Sequence, residues 1–363
     1  MNIYQLLELT VERKASDLHL VVDYPPMLRI NGELVAMVGQ TPLTDDEVGT
    51  LIAPLLTPIQ KEVFEKNLEL DFAASLPNKA RFRINIFQEK RHLTASLRLI
   101  PLLIPELSTL GLPAAVVKFV DLKQGLILVT GPTGHGKSTT LAALINKINQ
   151  THTSHIITIE DPIEYLYPKA KGLVSQRELL VDTKSWPNAL KAALREDPDV
   201  VLVGEMRDLE TISATLTLAE TGHLVFATLH TNSAAQTIDR IIDVFPEQQQ
   251  AQVRLQLASV LEAVLSQRLI PTIAPGRALA TELLIQTPAL SSIIRDGKTF
   301  LIDNLIQTSA ELGMSSLEKS LIALIKNGSI NFETAKNYSL RPDLLAKLLT
   351  ESGTDNFRTN VKK

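Results

Sequence analysis

The strongest constraint on the fold is a glycine-containing turn between an apolar run and an amphipathic segment. The run GLILVT is apolar at nearly every position, which is typical of a strand buried on both faces of a parallel sheet. It leads directly into GPTGHGKSTT, after which apolar side chains recur on one helical face at Leu141, Leu144, Ile145 and Ile148. A strand, a tight turn and a helix in this order predict an α/β fold.

The turn satisfies the pattern G-x-x-x-x-G-K-[ST], in which glycines allow backbone N–H groups to surround phosphate oxygens at a helix N-terminus. Lys137 would contact the β- and γ-phosphates of ATP, and the Ser138 hydroxyl would ligate Mg²⁺. His135 occupies an unconstrained position of the pattern, and we interpret it as a tolerated side chain. The predicted nucleotide-binding residues are Gly131, Pro132, Thr133, Gly134, His135, Gly136, Lys137, Ser138 and Thr139.

Carboxylates follow two further apolar runs. HIITIE ends at Glu160 and Asp161, with Glu164 three residues further on, and these groups could hold Mg²⁺ through water or orient a nucleophile. DVVLVGE ends at Glu205, which is placed to polarise an attacking water. Many P-loop ATPases carry Asp where Gly204 stands, and that Asp contacts Mg²⁺ through water. Because this chain has glycine there, the carboxylates that follow HIITI would have to supply the magnesium contact. The alternatives are turn chemistry at Asp161 and a solvated strand-end side chain at Glu205.

Two histidines flank a third apolar run, LVFATL. His223 and His230 are seven residues apart and therefore point to opposite faces of a strand, which argues against a shared metal. We expect one or both to sense the γ-phosphate or to couple it to a neighbouring subunit. The alternative for His223 is a structural role beside Gly222.

The first hundred residues predict a small mixed α/β domain. MNIYQLLELTVERK has helical spacing, and Asn31-Gly32 between apolar segments is a hairpin signal. RFRINIF alternates between apolar and polar residues, which predicts a strand with Arg81 and Arg83 on the same exposed face. LTASLRLI is predicted to return as the partner strand and carries Arg98.

Prolines mark the boundary between two parts of the chain. IPLLIPELSTLGLP predicts a linker at 101–115, between an N-terminal domain at 1–100 and a P-loop domain at 116–350. From about Ser233 the pattern favours helix for most of the remaining chain. The polar, glycine-containing end at 351–363 predicts a flexible tail.

Composition excludes several classes of protein. The chain has no cysteine, which rules out disulfides and thiolate zinc sites. Its net charge of −4 and the lack of an aromatic-rich basic stripe argue against nucleic-acid binding. We expect no signal peptide, and no apolar run approaches the ~20 residues that span a bilayer.

Four stretches together resemble a known superfamily. GPTGHGKSTT, IEDPIEY, LREDPDVVLVGEMRD and AETGHLVFATLHT are similar to the Walker A, Asp-box, Walker B and His-box motifs of the secretion-type hexameric ATPases. ASDLHL, PPMLRINGEL, RFRINIF, IDRIIDVFP, TPALSSIIRDGKT and LGMSSLEKSL extend the resemblance over nearly the whole chain. Within that superfamily the chain most resembles the type IV pilus retraction ATPases of twitching motility.

The resemblance implies a PAS-like N-terminal domain, a RecA-like ATPase domain with a helical C-terminal region, and a ring of six copies. Nucleotide would lie between the domains. The site residues that it implies are Glu205 and Glu164 as principal carboxylates, His223 and His230 as the His-box pair, and Arg81, Arg83 and Arg98 as arginine fingers. For the arginines, the alternative is a solvated charge on a strand face.

The implied function is ATP hydrolysis that drives domain rotations and pilus retraction through an inner-membrane platform protein. Such a protein would be cytoplasmic and peripheral at the inner face of the cytoplasmic membrane. The segment Ala289-Leu290-Ser291-Ser292-Ile293-Ile294-Arg295-Asp296 departs from the usual A-I-R-N-L-I-R-E, which leaves an accessory retraction paralogue open. Extension and type II secretion ATPases remain alternatives, although many of them carry a four-cysteine zinc element. A nucleotide-dependent binding module and a nucleic-acid translocase are the rival classes.

Overall fold

The chain forms two compact units in a computed structural model that describes residues 1–30, 32–76, 79–100 and 103–351, with the backbone alone at 351. The first unit consists of Met1–Ile104 together with two later segments, Glu160–Tyr167 and Arg177–Lys184. The second unit contains Pro105–Ile159, Pro168–Gln176 and the described chain from Ser185 onward. The predicted domain boundaries stay a proposal; the tail at 351–363 lies outside the described residues except for the backbone of 351, as do Pro101 and Leu102 of the linker.

The first unit is built on a six-stranded antiparallel sheet of order β3-β2-β1-β6-β5-β4. Its strands are β1 (Asp17–Leu20), β2 (Met27–Ile30), β3 (Glu33–Ala36), β4 (Glu69–Leu76), β5 (Ala80–Glu89) and β6 (His92–Ile100). Its helices are α1 (Ile3–Glu12), α2 (Asp45–Ile52) and α3 (Pro58–Asn67), with a 3₁₀ turn at Ala53–Leu55. All three helices begin with a capping box, in which a polar residue and the side chain three positions later satisfy each other's backbone N–H groups.

The predicted hairpin and strand pair of this unit are confirmed. β2 and β3 pair with Ile30 opposite Glu33, while Asn31 of the turn lies outside the described residues. β5 alternates as expected, with Phe82, Ile84 and Ile86 buried, and it pairs with β6.

The prediction of an exposed arginine face on β5 is wrong for Arg81. Its side chain is only 13% exposed. The two later segments of the unit supply its partners, since Arg81 bonds the backbone of Ile163 and the side chain of Glu178. Both partners are about 80 to 100 residues away in sequence, so strand periodicity could not reveal them.

The second unit contains a seven-stranded sheet of order β13-β12-β7-β11-β10-β8-β9, except that the last residue of β8 and the last two of β9 belong to the first unit. Its strands are β7 (Gly125–Thr130), β8 (His155–Glu160), β9 (Leu173–Glu178), β10 (Val200–Val203), β11 (Leu224–Leu229), β12 (Leu261–Pro271) and β13 (Arg277–Ile285). The helices are α4 (Lys137–Thr151), α5 (Trp186–Ala193), α6 (Leu209–Glu220), α7 (Ala234–Asp243), α8 (Glu247–Val260), α9 (Pro288–Arg295), α10 (Ile302–Thr308), α11 (Leu317–Lys326), α12 (Phe332–Tyr338) and α13 (Pro342–Glu351). Short 3₁₀ turns occur at Leu107–Thr109, Ala114–Asp121, Thr299–Leu301 and Ala310–Leu312.

The centre of this sheet is parallel. β7, β8, β10, β11 and β12 run in the same direction, and every residue of β7, β10 and β11 is buried. The α/β fold class is therefore confirmed. Because parallel strands end at the same edge, the residues that follow β7, β10 and β11 lie near one another at that edge.

The helical C-terminal region is confirmed in α7 to α13, but the sequence prediction missed the β12–β13 hairpin. β12 follows α8 without an intervening turn, and its residues LEAVLSQRL are mostly good helix formers. Pairing with β7 on one side and β13 on the other overrides that local preference. Among the described residues, no helix is both long enough and apolar enough to cross a membrane.

Candidate active site

The loop between β7 and α4 depends on glycine at both of its ends. Gly131 has a φ of +138°, and a Cβ atom there would lie 2.4 Å from the backbone oxygen of Gln267. Gly136, at the N-cap of α4, has a φ of +84° in the left-handed region. Side chains are disfavoured at both positions, so the fixed glycines of the motif have a structural cause in this chain.

The lysine of the motif folds back over this loop. Lys137 is buried, and its Nζ donates hydrogen bonds to the backbone oxygens of Gly131 at 2.7 Å and Pro132 at 3.1 Å. Ser138 and Thr139 follow it in the first turn of α4, where the Ser138 side chain is exposed. Positive charge and a helix N-terminus are thus combined at the loop, as anion binding requires.

Glu205 lies at the same sheet edge, directly beyond β10. The carboxylate Oε1 of Glu205 is 3.2 Å from Nε2 of His230, which follows β11. The other ring nitrogen of His230 is 3.3 Å from Oγ1 of Thr133 in the glycine loop. His230 therefore bridges the loop and the carboxylate. Arg207 holds both carboxylate oxygens, at 2.8 Å and 2.9 Å.

The electrostatic surroundings of Glu205 favour its ionised form. Burial by itself would raise the pKa of this carboxyl. The hydrogen bond and charge of Arg207, together with the charges of His230 and Lys137, outweigh burial and lower the pKa below its ordinary value. Glu205 is accordingly an anion at neutral pH, so both of its carboxylate oxygens can accept hydrogen bonds.

His223 is at the opposite end of β11 from His230. Its Nδ1 lies 3.0 Å from the backbone oxygen of Leu218 and 3.1 Å from Oγ1 of Thr221. The six residues of β11 separate the two histidines by about 20 Å, so the structure does not bring His223 to the loop. A γ-phosphate-sensing role for His223 stays a prediction.

Arg81 is occupied by contacts within the first unit. Its Nε donates to the backbone oxygen of Ile163 at 2.8 Å, and its guanidinium also reaches Ser75 at 3.1 Å and Glu178 at 2.7 Å. Burial raises the pKa of Glu178, against the opposing effects of the Ile163 N–H group and the Arg81 charge. Arg81 therefore compensates a buried carboxylate.

Arg83 and Arg98 stand opposite each other on β5 and β6. Arg83 is 3.6 Å from Glu164 and is 40% exposed. Arg98 bonds Asp17 at 2.9 Å. Burial would raise the pKa of Asp17, but hydrogen bonds from Ser16 and Arg98 and the charge of Arg98 lower it overall.

The remaining carboxylates of the sequence prediction belong to the first unit. Glu160 is the last residue of β8, and Asp161 follows in a bend where the peptide bond to Pro162 is cis. No helix begins at this proline. Sequence reasoning missed Arg207, although a cation two residues after a strand-end carboxylate was a readable signal.

The comparisons with known proteins identify the family. A sequence profile described as "Type II/IV secretion system protein" matches residues 3–309. The chain belongs to this family. Over 343 residues it is 47% identical to the type IV pilus retraction ATPase PilT of Pseudomonas aeruginosa, covering 94% of this chain and 99% of that protein. It is 38% identical to the type IV pilus ATPase PilU of the same organism, covering 98% and 94%.

A solved structure is similar over nearly the same length. The crystal structure of the pilus retraction motor PilT with bound ADP superimposes with a TM-score of 0.89 at 45% identity. The match covers 96% of this chain and 99% of that one. The family membership and the resemblance to retraction ATPases that the sequence motifs predicted are both confirmed.

Proposed function

We propose that this protein is the ATP-hydrolysing motor of type IV pilus retraction. The observation that carries the proposal is the link from the glycine loop to an ionised carboxylate, Thr133–His230–Glu205. The near full-length similarity to a pilus retraction ATPase supports the choice of this motor over others in the family.

The loop supplies the binding interactions. Its backbone N–H groups and the N-terminus of α4 would surround the phosphates, and Lys137 would turn from the loop carbonyls to the β- and γ-phosphate oxygens. Ser138, exposed in the first turn of α4, would hold Mg²⁺ together with phosphate oxygens. Bound Mg²⁺ supplies charge neutralisation on the transferring phosphoryl group.

Glu205 would act on the attacking water. Its ionised carboxylate accepts a hydrogen bond from the water and orients the oxygen toward the γ-phosphorus. The bond from the γ-phosphorus to the β,γ-bridging oxygen breaks, the water oxygen bonds to phosphorus, and the water proton passes to the phosphate products. His230 would report the presence of the γ-phosphate, because it contacts both the loop and Glu205.

The proposal includes the partners and location that the sequence predicted. Six copies would form a ring that acts in the cytoplasm at the inner face of the membrane, on a platform protein of the pilus. Arg83, paired with Glu164, and Arg98 are the proposed sources of transition-state charge neutralisation. Of the three arginines, Arg81 is the weakest candidate for this role, because its guanidinium already compensates the charge of Glu178.

An accessory retraction motor is the second candidate function. The observation that favours it is α9, in which Ser291 stands where the retraction resemblance predicts an arginine. The chain is also similar to the type IV pilus ATPase PilU over 98% of its length, at lower identity than to PilT.

The experiment compares Mg-ATP turnover of purified protein with that of Glu205→Gln, while mass is measured at the same concentrations. We expect a hexamer whose turnover falls at least about 100-fold in the variant, with ATP still bound, because the neutral glutamine amide lacks the negative charge that polarises the water. Glu210→Gln, an exposed carboxyl on α6, is the matched control.

Two outcomes would overturn the proposal. Full ATP turnover in Glu205→Gln would contradict the role assigned to this carboxylate. A wild-type protein that binds no ATP would contradict the proposal that the protein is an ATP-driven motor. Restoration of twitching in a retraction-deficient strain then separates the main motor from an accessory one, since an accessory motor would not restore it alone.

A further inference from the structure

β12 extends beyond the strand that it pairs with. β7 ends at Thr130, which lies opposite Ser266 of β12, and the chain then turns into the glycine loop. β12 continues to Pro271 and remains paired with β13 on its other side. From Gln267 onward, the glycine loop therefore replaces β7 beside β12.

The glycine loop packs directly on this extension. A Cβ atom on Gly131 would clash with the backbone oxygen of Gln267, and one on Gly136 would lie 3.6 Å from Leu269 Cδ1. Both ends of the loop thus lie against β12, Gly131 at Gln267 and Gly136 at Gln267 and Leu269. The loop's conformation depends on how firmly it is held to this strand.

His135 makes a hydrogen bond across this contact. Its Nδ1 lies 2.9 Å from the backbone nitrogen of Leu269, which donates the bond. A backbone N–H group can only donate, so Nδ1 has to be the acceptor and carries no proton. The imidazole is consequently neutral, with its proton on Nε2. The sequence interpretation of His135 as merely a tolerated side chain did not include this bond.

Three cations act on the imidazole of His135. Burial lowers the pKa of this imidazole, and the charges of Arg268 on β12, Lys137 on α4 and Arg277 on β13 lower it further. Arg277 also reaches the loop, 3.5 Å from the backbone oxygen of Gly134. Burial and these three charges thus favour the neutral form that the geometry requires.

We propose that His135 is a positioning residue for the nucleotide, which acts by accepting the Leu269 N–H group and holding the glycine loop against β12. It does not need to touch the phosphates. The inference rests on the proposed function, because the loop is the part of the molecule assigned to ATP. It gives a role to a position that the P-loop pattern leaves unconstrained.

The first measurement needs no nucleotide. Hydrogen exchange of the Leu269 amide is compared in full-length wild type, His135→Leu and His135→Asn. Leucine keeps apolar bulk without an acceptor, whereas asparagine places an acceptor near the position of Nδ1 and does not titrate. We expect protection at Leu269 to fall at least about tenfold in His135→Leu and to be largely recovered in His135→Asn.

The pH dependence of that protection provides a second readout. In wild type, protection at Leu269 is expected to be present at pH 7.5 and to be lost as acidification protonates Nδ1, at a pH below 6.5, the ordinary value for histidine. His135→Asn should show no such loss. Equal protection in all three proteins, or the same pH profile in wild type and His135→Asn, would overturn the proposal.

The third measurement concerns ATP. His135→Leu is expected to raise KM for Mg-ATP about three- to tenfold with a smaller change in kcat, the signature of weakened binding, and His135→Asn should recover most of it. If wild type fails to bind ATP, the proposed function fails, while the exchange data still test whether His135 holds the loop against β12. If wild type hydrolyses ATP and His135→Leu retains the same KM, the His135–Leu269 hydrogen bond has no role in nucleotide binding, and the proposed ATPase function is unaffected.

Discussion

Arg81 and Glu178 form an ion pair whose side chains are only 13% and 7% exposed. Removing one partner of a buried ion pair strongly destabilises the folded protein, because the other charge remains buried without compensation. The pKa of Glu178 is already raised by burial, and the loss of Arg81 would raise it further. This pair illustrates how one residue can be assigned to catalysis from sequence and be required for folding.

Removing Arg81 tests that distinction. We expect Arg81→Met to lower the free energy of unfolding by about 3 to 5 kcal/mol, and the double variant Arg81→Met/Glu178→Leu to recover much of it. Arg83→Met, at a site 40% exposed, should cost less than about 1 kcal/mol. Urea denaturation provides the measurement. An Arg81→Met protein of wild-type stability that has lost ATP turnover would instead favour the arginine-finger assignment.

Residue patterns predicted part of this site. The P-loop spacing and the strand-end position of Glu205 identified groups that the structure brings to one sheet edge. The resemblance to the His-box assigned His223 to the same site, but this residue precedes β11 and lies at the opposite end of the strand from His230. Contacts between distant segments, such as Arg81 with Ile163, have no local sequence signal.

At the level of elements, strands buried on both faces were predictable and β12 was not. β7, β10 and β11 consist of short apolar runs bounded by turns, a pattern that few other structures produce. β12 has a helix-like composition and becomes a strand because β7 offers it an edge to pair with. Its position beside the glycine loop makes it the element on which the site geometry depends.

Gly131 tests the contact between the loop and β12. Gly131→Ala would place a methyl group 2.4 Å from the backbone oxygen of Gln267, an atom that cannot move without shifting β12. We expect a loss of about 3 kcal/mol or more in unfolding free energy, together with loss of ATP binding.

Gly328→Ala is the matched control for that substitution. Gly328 also has a positive φ, +74°, but a Cβ atom there would meet nothing within 4 Å. Its cost should stay near 1 kcal/mol, with ATP binding retained. Similar losses in the two variants would show that backbone conformation, rather than contact with β12, accounts for the effect of Gly131→Ala.

At the scale of the whole molecule, buried charge ties the C-terminal helices to the second sheet. Arg341, at the start of α13, contacts Glu282 of β13 at 3.0 Å, Glu318 of α11 at 2.9 Å and Asp303 of α10 at 2.6 Å. Glu282 and Glu318 are 1% and 0% exposed. One guanidinium therefore contacts three other elements, and the farthest of its partners, Glu282, is 59 residues away in sequence.

Arg341→Met should lower the free energy of unfolding by about 3 to 5 kcal/mol, because it leaves two buried carboxylates without the positive charge that they contact. Arg341→Lys should be intermediate, since an ammonium cannot reproduce three separate guanidinium contacts. Urea denaturation measures the change in the free energy of unfolding, and limited proteolysis measures whether the C-terminal helices become accessible to cleavage. The exposed Arg295 of α9 offers a control, and Arg295→Met should change stability by less than about 0.5 kcal/mol.

The first unit takes two of its segments from the middle of the chain, so the polypeptide passes from one unit to the other five times. Splicing residues 1–104 onto the ATPase part of a relative would pair Arg81 with an Ile163 and a Glu178 counterpart from another parent. Exchange of the N-terminal part alone would place the same demand on the segments of the new parent. A complete N-terminal unit therefore has to include both segments that cover Arg81, although more than 50 residues separate them from residues 1–104 in sequence.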